Sequence, residues 1–380
     1  MAHIVHLTKW YPPAVGGMER VIEFYADAAR SGGHDVTVIC CTKGDTPGRT
    51  VTATGVVVER VASWGILNSM PIAPGMLTAM HRILPGADIV HFHEPFPLGA
   101  LFLLMLRRPR KLVTTWHADI VKQKHLKPYA EWLQGKLADR TDAIVCTTDR
   151  MAAGSPFLQR YADRIRLVPF MIDTAPFDAL RSDRERLAAT RRRWGGRYML
   201  GCGRLVPYKG FEFLIDALAG TDMRAVIVGE GPLHDELEVQ ARARGVADQV
   251  VFAGAVDDDT VRDLYCACEF FAFPSVTQGE AFGIVQLEAM AAGRPVINTW
   301  LQTSVPAVSL DGLTGLTVPP RDAAALRDAM RRLWTDPDLR ETYAAAALVR
   351  VRDHFERSRV IGQLLAFYDD VIAGKARLGP

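Results

Sequence analysis

Short apolar runs alternate with longer segments of helical periodicity along nearly the whole chain. Apolar runs of this length, bounded by turn residues, are typical of buried strands in a parallel sheet, and the segments between them favour helices. In the first half of the chain, the runs predict strands at His3–Leu7, Asp35–Cys41, Val56–Val61, Asp88–His93, Leu112–Trp116, Ala143–Thr147 and Ile165–Val168. A helix predicted at Met18–Ser31 joins the first two strands, which makes a βαβ unit.

A second series follows the segment Pro169–Phe177, which we interpret as a linker, and a basic helix predicted at Arg181–Trp194. Its strands are predicted at Tyr198–Cys202, Ala225–Gly229, Val250–Ala255, Phe270–Phe273 and Pro295–Asn298. The chain is helical from Arg321 and ends in a helix at Val360–Ile372. A length of 380 residues exceeds what one small core organises. We therefore expect two α/β domains, 1–175 and 176–357, with a C-terminal segment, 358–380, that packs back on the first.

The stretch Phe270–Gly293 combines a strand, a polar loop and a predicted helix from about Glu280 to Ala292. Such strand-to-helix turns form anion sites, because backbone N–H groups and the helix dipole face the ligand. Gly283 allows the backbone to approach that ligand. Glu280 and Glu288 would lie on one helix face, and their carboxylates suit the hydroxyls of a sugar and a ribose. An ordinary amphipathic helix with a solvated glutamate is the alternative.

The loop Gly203–Gly210, GRLVPYKG, places two cations between glycines at another predicted strand-to-helix turn. Arg204 can bind two oxygens of a diphosphate, and Lys209 can act as a point charge. The spacing differs from that of a P-loop, because no GKS or GKT follows. Gly16 and Gly17 follow the first strand at a favoured phosphate-approach position, although a glycine pair by itself is more typical of a plain turn.

Polar side chains also occur where the first-domain strands end, and ligands of open parallel sheets bind outside the carboxyl ends of strands. This position makes His117 a candidate site residue, with a purely structural role as the alternative. The same position makes His91, His93, Glu94 and Asp119 candidates at this edge.

Composition narrows the functional classes. The 45 basic and 43 acidic residues give a net charge of +2, which offers no strong case for nucleic acid as a partner. The six cysteines include no CxxC pair and no zinc spacing, so we interpret them as reduced core residues of a cytosolic protein. No signal peptide is predicted, and the apolar run Leu98–Leu106 is too short to cross a bilayer.

Two basic clusters occur in the first domain. One comprises Arg107, Arg108, Arg110 and Lys111, and the other comprises Lys122, Lys124 and Lys127. Most such clusters are solvated surfaces. A diphosphate-bearing acceptor or an anionic membrane surface is the alternative.

Taken together, these motifs resemble those of the GT-B glycosyltransferases, in particular the retaining family 4, and the resemblance covers nearly the full length. It rests on the GGMER loop at Gly16–Arg20, on GRLVPYKG with Arg204 and Lys209, on EAFGIVQLE with Glu280 and Glu288, and on TWHAD with His117. The fold implied is two Rossmann-like, doubly wound domains that face a cleft, with the nucleotide sugar in the C-terminal domain and the acceptor in the N-terminal one.

The resemblance also implies roles for individual residues. Arg204 and Lys209 would neutralise the leaving diphosphate, Glu280 would bind the transferred sugar, and Glu288 would bind the ribose. His117 would contact an outer sugar hydroxyl. The further donor-site residues implied are Gly16, Gly17, Gly203, Val256 in the base pocket, Phe282, Gly283 and Ile284. The anomeric configuration would be retained, and neither a metal nor another cofactor is expected, since Arg and Lys replace the metal and no DxD motif ends a strand.

The WHADIVKQK segment is similar to bacterial mannosyl- and rhamnosyltransferases of surface polysaccharide assembly. This narrower resemblance implies GDP-mannose or GDP-D-rhamnose as donor and a lipid-linked oligosaccharide as acceptor. The enzyme would act in the cytoplasm, with peripheral contact to the inner face of the plasma membrane through the basic first-domain surface. The alternatives are a sugar-nucleotide epimerase or phosphorylase of the same fold, a dinucleotide-binding oxidoreductase, and a non-catalytic scaffold. The oxidoreductase is disfavoured because no GxGxxG follows the first strand of this chain.

Overall fold

The computed structural model describes residues 1–14, 16–67, 70–117 and 127–375. Its internal contacts divide the chain into two compact units, Met1–Phe170 with Val360–Pro380 and Met171–Arg359.

Within the described residues, the first unit contains the seven strands that the apolar pattern predicts and three further short strands. Its elements are β1 (His3–Leu7), α1 (Gly17–Ser31), β2 (Asp35–Cys41), β3 (Gly48–Val51), β4 (Val57–Val61), β5 (Ile66–Leu67), β6 (Met70–Pro71), α2 (Gly75–Ile83), β7 (Ile89–Glu94), α3 (Pro97–Met105), β8 (Leu112–Trp116), α4 (Lys127–Arg140), β9 (Ala143–Cys146), α5 (Asp149–Gly154), α6 (Pro156–Gln159) and β10 (Ile165–Leu167).

The main sheet of this unit has the order β10-β9-β8-β7-β1-β2-β4-β3, and only the edge strand β3 runs antiparallel to its neighbour. The chain moves from β1 towards β2 on one side and from β7 towards β10 on the other. The order therefore reverses between β1 and β7, and this reversal is where open α/β sheets bind ligands. The register of these two strands places His6 opposite His91.

The second unit repeats the same architecture. Its elements are α7 (Ala175–Ser182), α8 (Arg184–Arg193), β11 (Met199–Cys202), α9 (Phe211–Leu218), β12 (Ala225–Val228), α10 (His234–Ala243), β13 (Val250–Gly254), α11 (Asp258–Ala267), β14 (Phe271–Ala272), α12 (Val285–Ala291), β15 (Val296–Thr299), α13 (Val305–Val308), β16 (Gly315–Val318), α14 (Ala323–Thr335), α15 (Pro337–His354) and the start of α16 (Arg357–Ile372).

All six strands of the second sheet are parallel, in the order β13-β12-β11-β14-β15-β16. Their reversal lies between β11 and β14, which pair through Leu200 and Phe271. Helices α9 and α14 cover one face through Ile215, Leu218 and Met330, which are fully buried. The loops that follow β11 and β14 are therefore neighbours at the carboxyl edge.

The expectation of an α/β fold built from parallel sheets is confirmed, and so is the return of the C-terminal helix to the first domain. In α16, Tyr368 is fully buried and its hydroxyl is 2.7 Å from His91 Nδ1. A phenol fixed to the central strand β7 in this way holds the helix on the first sheet.

Several predicted bounds differ from the structure by one to three residues, and three predicted elements differ more. The basic segment 181–194 forms two helices rather than one, because Asp183 ends α7 and its carboxylate accepts the N–H of Arg186 to cap α8. The expected linker 169–177 already contains the start of α7. The helix predicted from Glu280 begins only at Val285, because Gly283 has a φ of 76°, which an α-helix does not allow.

Two further expectations concern the cysteines, which we expect to be reduced, and membrane-spanning segments, of which we expect none. All six cysteines are free. Within the described ranges, no helix combines the length and the apolar character that crossing a membrane requires.

Candidate functional site

Two loops at the reversal of the second sheet approach each other closely. One follows β11 and contains a 3-10 turn at Pro207–Lys209; the other follows β14. The N–H of Val276 donates to the carbonyl of Tyr208 at 2.9 Å. A Cβ atom on Gly210, whose φ is 69°, would overlap the carbonyl oxygen of Pro274. Glycine at this position therefore permits both the left-handed turn and the contact between the loops.

A buried ion pair joins the two loops. Lys209 Nζ is 2.5 Å from Glu280 Oε2, and each residue is only 8% exposed. The hydroxyl of Ser275 also donates to Glu280 Oε2, at 3.2 Å. Lys209 Nζ lies 4.9 Å from the centre of the Phe273 ring. The predicted cation and the predicted acid are thus in direct contact at one point.

Gly203 makes room for this arrangement. Its φ is 147°, and a Cβ there would lie 3.2 Å from Lys209 Cε. Arg204 follows it and is exposed. Burial raises the pKa of Tyr208, which also responds to the charges of Lys209, Glu280 and Arg204. All three charged groups therefore lie within electrostatic range of one phenol.

Glu288 does not share a helix face with Glu280, since Glu280 precedes α12; that prediction was wrong. Glu288 is half-buried in α12. Burial raises the pKa of Tyr265 well above its usual value, and the adjacent Cys202 and Glu288 raise it further. Cys202 is the last residue of β11, so Glu288 approaches the end of the same strand from which Arg204 and Lys209 follow.

A buried amide network, which sequence reasoning missed, fixes the segment before α12. Gln286 Nε2 donates to the carbonyl of Phe282 at 2.9 Å, and Gln286 Oε1 accepts from Asn298 Nδ2 at 2.9 Å. Phe282 is buried, with its ring packed edge-on against Phe355. Uncharged amides inside an otherwise apolar helix and strand were the available signal, because buried amides need partners.

The same segment contains two backbone donors without a described acceptor. The N–H groups of Gly283 and Ile284 make no hydrogen bond with other described residues. A Cβ on Gly283 would lie 2.6 Å from the Phe273 ring. Val256, the predicted base-pocket residue, is half-buried just after β13.

His117 lies directly after β8 and is 4% exposed. Its Nε2 is 3.0 Å from His93 Nδ1, and His93 Nε2 is 2.9 Å from His6 Nδ1. Burial lowers the pKa of His6 and of His117 to about 3. Burial also lowers the pKa of His93, with a further contribution from the neighbouring histidines. These imidazoles are therefore neutral near pH 7. Sequence reasoning missed His6 altogether.

His91 belongs to the same stack of rings, with its centroid 4.5 Å from that of His93. The ligand atoms of His6, His91 and His93 lie within 4.8 Å of one another, so these residues could hold a metal ion. However, His6 and His93 bond to each other, and His91 bonds to Thr115 Oγ1 and Tyr368 at 2.6 and 2.7 Å. Metal binding would require these buried hydrogen bonds to break.

The other first-unit candidates differ in their surroundings. Gly16 precedes α1 and Gly17 begins it, with the carboxylate of Glu19 against Gly16. Burial raises the pKa of Glu94 to about 7, although its Oε2 accepts from the N–H of Phe96 and from Gln134. Asp119, Lys122, Lys124 and the side chain of Lys127 lie outside the described residues.

Three of the four cations in the Arg107–Lys111 cluster pair with acids. Arg108 and Lys111 lie 2.9 and 3.9 Å from Asp142, and Arg110 lies 3.1 Å from Asp88. These acids precede β9 and β7, so the cluster lies at the amino edge of the sheet, opposite His117.

Comparison with known proteins agrees with this geometry. The model of the family described as Glycosyl transferases group 1 matches residues 184–349, and that of Glycosyltransferase Family 4 matches residues 15–176. The chain is 33% identical to D-rhamnosyltransferase WbpZ of Pseudomonas aeruginosa, over 93% of this chain and 92% of the relative. It is 29% identical to O-antigen chain mannosyltransferase C of Escherichia coli, over 98% and 100%.

Among solved structures, HepE from Anabaena in complex with UDP-glucose superimposes with a TM-score of 0.78 at 21% identity. The match covers 97% of this chain and 100% of that one, and at this identity it bears on the fold alone. Both sequence relatives cover nearly the whole chain, and one exceeds 30% identity. The protein therefore belongs to glycosyltransferase family 4 and is a hexosyltransferase of the GT-B fold.

Proposed function

We propose that the protein transfers mannose or D-rhamnose, with retention of configuration, from a GDP-sugar to a hydroxyl of a lipid-linked oligosaccharide. The observation that supports this most directly is the buried Lys209–Glu280 pair at the reversal of the second sheet. It combines a cation for phosphate with an acceptor for sugar hydroxyls, and both are already desolvated. The names of the mannosyl- and D-rhamnosyltransferase relatives support the choice of sugar, and a further relative, 31% identical, is named as GDP-mannose-dependent.

In this proposal the diphosphate binds between Lys209 and Arg204. The bond from the anomeric carbon to the phosphate oxygen breaks while the acceptor oxygen bonds to the same face of that carbon. The acceptor's proton passes to the departing phosphate oxygen. Lys209 and Arg204 stabilise the negative charge that develops there, as fixed positive charges aimed at a leaving group do. They supply the positive charge that a divalent ion supplies elsewhere, so no metal is invoked.

The remaining contacts are proposed from the family resemblance. Glu280 accepts hydrogen bonds from the transferred sugar, and Glu288 accepts them from the ribose. The N–H groups of Gly283 and Ile284 donate to the donor molecule. The other proposed donor contacts are Gly16, Gly17, Gly203, Val256 and Phe282, and His117 binds an outer sugar hydroxyl.

The donor is tested by thermal shift with UDP-, GDP-, ADP- and dTDP-sugars, because a ligand of the native state raises its melting temperature. We expect GDP-mannose or GDP-D-rhamnose to give the largest shift and to support transfer to a lipid-diphosphate-linked saccharide. Formation of an isomeric sugar nucleotide without any transfer product would contradict the proposal.

The diphosphate role is tested by Arg204→Ala and Lys209→Ala, each expected to lower kcat by about 100-fold or more, since one charge-stabilising donor is lost. The matched control is Arg184→Ala, which removes an exposed arginine at the start of α8 and should leave kcat within about twofold. Unchanged turnover in both site variants would refute the role.

Substitutions at the two glutamates should affect different parts of the donor molecule. Glu288→Ala should weaken GDP binding more than it alters sugar selectivity, and Glu280→Ala should do the reverse. Calorimetric titration with GDP and with the GDP-sugar measures both effects. Equal losses for the two ligands in both variants would contradict the assigned contacts.

For localisation, we propose that the protein acts in the cytoplasm and contacts the inner face of the plasma membrane peripherally. Arg107 is exposed, and the segment with Lys122, Lys124 and Lys127 adds charge. Co-sedimentation with anionic vesicles should weaken in Arg107→Glu and in high salt, because such attraction is screened. Equal binding to neutral vesicles would contradict this contact.

A further inference from the structure

Three buried histidines of the first unit are joined in a row by hydrogen bonds. His6, His93 and His117 form an unbranched chain of two N···N hydrogen bonds, and all three rings are buried. The terminal nitrogens, His6 Nε2 and His117 Nδ1, are buried too and have no hydrogen-bond partner among the described residues.

Counting protons shows that the three tautomers are coupled. A neutral imidazole has one N–H and one lone pair, so three rings have three N–H groups. Each of the two bonds between the rings uses one N–H, and the third remains at one end of the chain. Either all three rings are Nδ1–H and His117 Nδ1 is a free donor, or all are Nε2–H and His6 Nε2 is the free donor. Any mixture would place two lone pairs or two N–H groups face to face.

The surroundings of the two terminal nitrogens favour the arrangement in which all three rings carry their proton on Nδ1. His6 lies within strand β1, fully buried and paired with β7, and an N–H without an acceptor is rarely left there, whereas an unused acceptor is better tolerated. His117 lies beyond the carboxyl end of β8, at the edge where sheets of this kind bind ligands. An N–H at that end can be satisfied by a ligand oxygen.

We propose that His6 and His93 are positioning residues that hold His117 as its Nδ1–H tautomer, so that His117 Nδ1 donates a hydrogen bond to an oxygen of the transferred sugar. The contact with sugar rests on the proposed function; the coupling of tautomers does not. His6 Nε2 has no described group to which a proton could pass, so the chain orients His117 and does not conduct protons. In this tautomer His117 Nδ1 carries the proton and Nε2 already accepts from His93, so His117 is a donor of fixed geometry and has no free lone pair with which to act as a general base.

The tautomers are measured directly by two-bond ¹⁵N–¹H correlation spectra of the full chain labelled at its ten histidines. We expect Nδ1–H at His6, His93 and His117 in the free enzyme near pH 7. Nε2–H at His117, or a charged ring in the chain, would overturn the proposal, and this arm requires neither a variant nor a substrate.

Two substitutions at His6 separate the hydrogen bond from packing. The amide nitrogen of His6→Asn takes about the place of Nδ1 and can still donate to His93, whereas His6→Leu cannot. We expect His6→Leu to give a mixture of tautomers at His117 and to lower kcat/KM for the sugar nucleotide about tenfold, as for the loss of one well-placed hydrogen bond. His6→Asn should keep the wild-type tautomer and remain within about threefold.

The matched control is His91→Asn, because His91 is as buried as His6 and also stacks near His93, but it bonds to Thr115 and Tyr368 instead of the chain. It should lower the melting temperature and leave the His117 tautomer unchanged. An unchanged tautomer in His6→Leu, or an equal kcat/KM for the two His6 variants, would overturn the proposal. If the spectra respond as expected but no sugar is transferred by the wild type, the proposed function fails and the coupled chain stands.

Discussion

The Lys209–Glu280 pair allows stability and catalysis to be separated in one experiment. Lys209→Met removes the ammonium and leaves the Glu280 carboxylate at 8% exposure with only the Ser275 hydroxyl as a described donor. Breaking a buried ion pair by removing one partner costs about 3–5 kcal/mol, because the other charge stays desolvated. The Ser275 hydrogen bond and the residual exposure favour the lower end, about 3 kcal/mol.

Removing both charges should cost much less. In the double variant Lys209→Met/Glu280→Gln the carboxamide can still accept from Ser275, and no charge remains buried, so we expect a loss of about 1 kcal/mol or less. For a unit of this size, 1 kcal/mol corresponds to about 2–4 °C in melting temperature. Lys209→Met should therefore melt about 6–12 °C below the wild type, and the double variant within about 4 °C of it.

Differential scanning calorimetry of the wild type, both single variants and the double variant completes the thermodynamic cycle. The coupling between the two sites should be at least about 2 kcal/mol. The double variant should nevertheless transfer sugar at least about 100-fold more slowly than the wild type, because the Lys209 charge that stabilises the diphosphate is absent. Melting losses that simply add up across the two sites would refute the idea that the pair is energetically coupled.

Three further outcomes are expected. Gly283→Ala should lose about 2 kcal/mol or more beyond Gly312→Ala, since both glycines have positive φ (76° and 68°) but only Gly283 has a ring, that of Phe273, within 3 Å of the added Cβ; equal melting temperatures in the two variants would refute the clash. Burial raises the pKa of Glu94 from 4.5 to about 7, so the folded state keeps a proton that the unfolded state releases, and stability falls as pH rises through this range. Glu94→Gln removes this effect, and its stability relative to the wild type should rise by about 3 kcal/mol between pH 5 and pH 8 in thermal melts; a pH-independent difference would contradict the assignment. Sugar transfer should continue in EDTA, and loss of activity that a divalent cation restores would overturn the metal-free mechanism.

Much of the fold followed from local pattern. The strands Asp35–Cys41 and Leu112–Trp116 have the predicted bounds, because an apolar run bounded by polar residues determines them locally. The helix predicted from Glu280 failed for a local reason as well. The pattern showed suitable helix formers but did not show that Gly283 has a positive φ.

The candidate site was only partly visible in the sequence. Cations between glycines identified Arg204 and Lys209, because few structural roles require that composition at a turn. The ion pair with Glu280 was not visible, since it depends on Gly210 meeting Pro274 across two loops far apart in the chain. The amides of Gln286 and Asn298 were missed because a polar residue in an apolar run is buried or exposed according to its neighbours.

The sequence alone determined the kinds of elements, their order and the family, since periodicity and motif spacing are properties of the chain. The strand order was decided by tertiary structure. It pairs β1 with β7 and β11 with β14, and so brings together residues that are far apart in the sequence. His6 shows this most clearly. It is an unremarked residue of the first strand, and it becomes the end of a hydrogen-bonded row only because the parallel register sets it beside β7.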